Sequence, residues 1–234
     1  IFFYLKVPNK YKYNMLDLSG SNDFIIDLIK KDEPFLISRL GCEGMSAHHY
    51  QLDISLNKIS IEEINMLQKN AGIYWEEDAL LVEYCKKYNE AVKNSKALAY
   101  IQNAHWMEDT QQYYIKKYEL SCLYSRILEP FYCGLDDIKP WTHHLLGKKI
   151  LIINSFTNTM KDQVKKGFHI FNDLKKRIFL SGQEVKFYKT FNTVAGNRIH
   201  KNWLETFNIM CDDIKKIDFD IALLGCGGYG LPLS

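Results

Sequence analysis

Three short segments carry side chains suited to phosphate and sugar chemistry, and each follows an apolar run. In the first, Arg39, Gly41 and Glu43 stand at the carboxyl end of the run 35–40. An arginine fork can hold a phosphate through paired N–H donors. A glutamate beside it can bind a metal, orient a sugar hydroxyl or act as a general base. An Arg39–Glu43 ion pair bracing a turn is the plainer alternative. In the second, Asn154, Ser155, Thr157 and Thr159 lie between a strand-like run and a helix-like one. Hydroxyls, amides and the free N–H groups of a helix start suit an anion. Simple capping by Thr157 or Asn158 explains the same residues. In the third, Gly225, Gly227, Gly228, Tyr229 and Gly230 follow the apolar run 221–224. Glycines let a turn bend sharply and approach a ligand closely. Their spacing does not match G-x-G-x-x-G, which argues against an ordinary dinucleotide site. Trp106 follows another strand-like run and has the ring to stack on a base or sugar, though core packing is the commoner fate. His48–His49 and His143–His144 are adjacent pairs whose members point apart on a helix, so they read as packing or surface residues. No Ser-His-Asp or Cys-His arrangement is evident, and Cys42 has no base in sequence reach.

These segments need elements to position them. Apolar periodicity predicts helices over 23–31, 43–50, 76–94, 109–129 and 197–216, with a further helix starting near Met160. Ser60 with Glu63 fits a capping box opening a helix to about residue 70, and residues 19–22 read as the turn and cap before the first helix. Pro140 suits the first turn of another helix. Strands are expected over 35–40, 97–101, 150–153, 184–190 and 221–224. The alternation predicts an α/β fold with a mainly parallel sheet flanked by helices and a helical insertion between the early strands. The chain reads as one domain over 1–234, with a lobe boundary near 134–140.

Composition narrows the class. The chain has 234 residues, 47% hydrophobic and 25% charged, with a net charge of +2. This is ordinary globular composition, and the charge makes no case for a nucleic-acid partner. Lys161, Lys165, Lys166, Lys175 and Lys176 cluster as a solvated face. Six cysteines without a C-x-x-C pair argue against zinc and for a reducing, cytoplasmic setting. No transmembrane segment is expected, and the apolar opening of residues 1–5 is too short for a signal core.

Several segments together resemble a family of bacterial glycosyltransferase-like proteins from polysaccharide clusters. They are Asn70-Ala71-Gly72-Ile73-Tyr74, Leu128-Glu129-Pro130-Phe131-Tyr132, Pro140-Trp141, Gly147 through Phe156, Thr193 through Asn197 with Trp203, and Asp218 through Pro232. That family is similar to the D-type glycosyltransferase fold, a Rossmann-like domain using nucleotide-sugar donors. The resemblance implies transfer of a sugar from a nucleotide-diphosphate donor to a glycan or glycolipid acceptor. Arg39, Gly41, Asn154, Ser155, Thr157, Thr159, Gly225, Gly227, Gly228 and Tyr229 would bind donor, and Glu43 would be catalytic. It also implies a divalent metal, Mn or Mg, held by an Arg-x-Gly-Asp-x-Glu segment. Arg39 and Gly41 match its start. Cys42 then stands where the Asp would be and Glu43, the candidate metal ligand, comes one residue early. Those departures keep a second reading open: a non-catalytic nucleotide- or glycan-binding module of a larger assembly protein. The family pattern runs past Ser234, so a C-terminal portion is expected to be missing.

Overall fold

The computed structural model describes residues 14–52, 59–165 and 177–234. The apolar opening and Lys166, Lys175 and Lys176 lie outside them. The fold is mixed α/β. Helix α1 (Leu18–Lys31) leads to β1 (Ile37–Ser38), α2 (Gly44–Gln51) and α3 (Ile61–Asn65), which continues as a π-helical turn over Met66–Ala71. Next come α4 (Asp78–Lys93), β2 (Ala97–Tyr100), α5 (Glu108–Tyr118), β3 (Ser121–Tyr124) and α6 (Phe131–Leu135). The second half holds β4 (Lys149–Asn154), α7 (Thr157–Lys165), β5 (Glu184–Lys189), α8 (Trp203–Ile214) and β6 (Ile221–Gly225).

The strands form two three-stranded parallel sheets, ordered β1–β2–β3 and β5–β4–β6, where a single sheet was expected. The first is buried on both faces, as parallel sheets are. Leu98 and Cys122 join one core with Tyr84, Tyr88, Trp203 and Met210. Ala97 and Leu123 face the other way, into a core with Ile25, Trp141, Ile150 and Ile152. That second core draws on both sheets and so ties the two halves of the chain together. No helix among the described residues is long and apolar enough to cross a membrane.

The helices follow their apolar stripes. Leu81, Tyr84, Cys85, Tyr88 and Val92 fall on one face of α4 and are all buried. The capping box forms: Ser60 accepts from Glu63 N–H, and the Glu63 carboxylate reaches back to Ser60 N–H.

Several expected boundaries move. Helix α1 is capped by Asp17, which accepts from Gly20 N–H at 2.7 Å. Ser21 and Asn22 do not cap it because both are buried tie points. Ser21 accepts from Tyr124 N–H, and Asn22 bonds Lys139 and Trp141. The strand expected over 35–40 shrinks to Ile37–Ser38. The long helix expected over 109–129 stops at Tyr118, where Glu119 turns left-handed with φ of 52°. Strand β3 follows instead, because pairing with β2 satisfies its backbone. The segment after Pro140 is a short 3₁₀ helix, Trp141–Leu145. Helix α8 begins only at Trp203, where the Asn202 side chain accepts from Glu205 N–H.

Candidate functional site

The register levels the carboxyl ends of the second sheet. Asn154 of β4 stands opposite both Lys189 of β5 and Gly225 of β6. Thr190 N–H donates to the Asn154 carbonyl at 3.1 Å. In the order β5–β4–β6 the chain leaves β4 to one side and returns to its other side. At such a switch point the following loops diverge and leave a crevice, the place where open α/β sheets bind ligands. A cleft of about 210 Å³ lies there. Ser155 and Phe156 line it after β4, Thr190 to Val194 after β5, and Gly225 to Gly227 at the end of β6, with Ala71 closing one side. None of these side chains carries a charge.

Asn154 holds the two walls together. Its Nδ2 donates to the Gly225 carbonyl and its Oδ1 accepts from Phe156 N–H, both at 2.8 Å. Phe156 stands 66% exposed at the mouth. Thr157 opens α7 and is buried, and its Oγ1 has no hydrogen-bond partner among the described residues. Thr159 is exposed on the same helix.

The glycines of the closing turn admit the protein's own chain. A Cβ on Gly225 would come within 2.7 Å of Asn154 Nδ2. One on Gly228 would meet Ile73 at 2.7 Å and the Ala71 carbonyl at 2.9 Å. Gly227 has φ of +60°, a left-handed conformation that favours glycine. Tyr229 is buried beneath this turn, with its hydroxyl 3.4 Å from the Gly72 carbonyl that Thr193 Oγ1 also reaches. Gly228 and Tyr229 therefore pack behind the cleft wall.

The segment after β1 splits in two. Arg39 points away from Glu43 and donates to Glu129 Oε1 at 2.9 Å. Glu43 is buried, and its carboxyl folds back over Gly41, where an added Cβ would lie 2.4 Å from Oε2. Removal from water pushes the Glu43 carboxyl above its usual range, and bonds from its own backbone and from Cys42 only partly offset this. Around it stand Cys42, Tyr84, Tyr88 and Cys226, whose proton affinities it raises in turn. Tyr84 Oη donates to the Gly228 carbonyl at 2.8 Å. The first and third segments thus meet on the buried side of the closing turn. The second and third meet in the cleft.

Burial first and then Glu43 push the Cys42 thiol up to about 12, which disfavours the thiolate that a nucleophile needs at neutral pH. The Cys42–Glu43 pair is also a poor match for Mn or Mg. Those ions take several charged or strongly polar oxygens, whereas this pair offers a protonated thiol and one desolvated carboxyl. Trp106 is 53% exposed on a 3₁₀ turn and does not line the cleft. His48 packs on Tyr113 with ring centres 4.2 Å apart, and its Nδ1 lies 3.1 Å from Thr110 Oγ1. Sequence reading singled out neither Phe156 nor Thr190 to Val194 as a contiguous wall. The available signal was position alone: both follow strands of one sheet. No protein-family model, curated protein or solved structure matches this chain.

Proposed function

We propose that this chain is a nucleotide-sugar-dependent glycosyltransferase acting on a glycan or glycolipid acceptor in cytoplasmic polysaccharide assembly. In this reading the sheet β5–β4–β6 is Rossmann-like and α2 to α4 form a helical insertion. The observation that carries it is the cleft at the β4/β6 switch point, with the N-terminus of α7 beside it. The uncharged walls suit the neutral nucleoside or sugar, and exposed Phe156 offers a ring face. The free N–H groups at the start of α7 suit the diphosphate. In the reaction an acceptor oxygen bonds to the anomeric carbon as the bond to the diphosphate breaks. The diphosphate leaves with the electron pair, and the acceptor proton passes to solvent. Stabilising the charge on that leaving group is the main catalytic service the protein offers. Glu43 lies buried over Gly41 and near Tyr84, which itself bonds the closing turn at the Gly228 carbonyl.

The test is nucleoside diphosphate release from a panel of nucleotide sugars, with and without glycan acceptors. Acceptor-dependent release that falls at least about tenfold in Phe156→Ala supports the assignment. No release from any donor, and no thermal shift with any nucleoside diphosphate, overturns it. The burial of Glu43 and the Cys42 replacement favour a second reading, a binding module without turnover. Thermal stabilisation by nucleoside diphosphates with no donor consumption selects that reading.

A further inference from the structure

At the carboxyl edge of the other sheet, two arginines share one carboxylate. Arg39, following β1, donates to Glu129 Oε1 at 2.9 Å, and Arg126, following β3, donates to Glu129 Oε2 at 3.0 Å. The Arg126 guanidinium also lies 5.0 Å from the Tyr132 ring centre, and Tyr132 packs on Phe131 at 4.2 Å. Both arginine side chains remain open to solvent, at 41% and 48% exposure.

A surface salt bridge of this kind contributes little to stability, so stability is a weak reason for two arginines to converge. Its electrostatics are more specific. Two cations on one anion leave a net positive charge, and each guanidinium offers five N–H donors, of which one is engaged with Glu129. The shared carboxylate holds both forks in place and the Tyr132 ring adds to the hold on Arg126, which lowers the ordering cost of binding. A phosphate presents the same planar pairs of oxygens as the carboxylate and carries more charge. The switch-point cleft, by contrast, has no charged side chain on its walls among the described residues.

We propose that Arg39, Arg126 and Glu129 form a phosphate-binding fork in which Glu129 is an internal anion that the ligand displaces. The ligand class is a diphosphate ester. Arg126 and Glu129 take part in it as directly as Arg39 does. The fork stands whether or not the cleft proves to be a donor site.

Isothermal titration of the chain with inorganic pyrophosphate at low ionic strength tests it. Arg126→Ala weakens binding by about tenfold or more, the loss of a charge-assisted contact. Arg126→Lys does not restore it, because a point charge lacks the paired donors. Glu129→Gln tightens binding, since the competing anion is gone. A merely structural ion pair would give the opposite pattern: no change in Arg126→Ala and no gain in Glu129→Gln, and that pair of results overturns the proposal. All three positions are solvent-accessible, and unchanged circular dichroism confirms that the variants fold. Repeating the Glu129→Gln comparison with uridine diphosphate and with geranyl diphosphate distinguishes a nucleotide from a lipid-linked source. A gain with either supports the fork, and a gain with neither refutes it. Arg126 and Glu129 do not line the cleft, so a loss in Arg126→Ala together with a gain in Glu129→Gln reports on the fork and is separable from failure of the cleft.

Discussion

Glu43 and Gly228 show how single residues serve the site from behind. Burial raises the Glu43 carboxyl above its ordinary 4.5. A group raised in the folded state gives stability that is complete below the unfolded value and is lost as pH rises through the folded one. Glu43→Gln should therefore match the parent near pH 4 and exceed it in melting temperature at pH 7, flattening the pH profile. A variant that melts lower at pH 7 would refute the desolvation argument. Gly228 is confined by Ile73 and the Ala71 carbonyl, the latter a backbone atom that cannot swing aside. Gly228→Ala should cost about 1–3 kcal/mol in urea unfolding. Tyr84→Phe removes the bond to the Gly228 carbonyl and strands a buried acceptor. About 1–2 kcal/mol is expected, with a local loss of order in the closing turn readable by hydrogen exchange.

At the scale of elements, the central question is how β4 and β6 are locked in register. Their apolar runs suit a buried parallel sheet, but adjacent backbone bonds alone do not join the loops beyond. Asn154 does so, with one amide group bonded to the β6 end and to its own loop. Asn154→Ala should lower stability by about 1–2 kcal/mol and weaken nucleoside diphosphate binding, while Ser60→Ala, which removes a remote cap, should cost about 1 kcal/mol and leave binding unchanged. Equal binding losses in both variants would separate the cleft from the Asn154 clamp. The capping box was legible in sequence because Ser60 and Glu63 interact over three residues. Strand β3 was not: the short run Ser121–Tyr124 has no periodicity, and only β2 beside it selects the extended form.

For the whole molecule, the two buried clusters connect what the chain order separates. Trp203 is fully buried, with its indole N–H donating to the Leu80 carbonyl at 2.9 Å, and so pins α8 onto the start of α4. Trp203→Ala should cost about 3–5 kcal/mol by cavity formation, measured as a shift in urea midpoint. The core containing Ala97, Leu123, Ile150 and Ile152 spans both sheets, so unfolding should follow one transition when read by far-ultraviolet dichroism and by tryptophan fluorescence alike. The α/β class, the positions of α4 and α8, and the runs that became β4 and β6 were written in local patterns: helical periodicity, apolar runs and glycine turns act over a few residues, and their energies need no knowledge of the rest of the chain. Partner choice is different. Arg39 faces Glu129 across 90 positions of sequence, Glu43 lies beneath a turn built from residues 225–230, and the cleft exists because β5 and β6 flank β4 on opposite sides. Those pairings depend on which surfaces exclude water together, and that is settled when the chain packs.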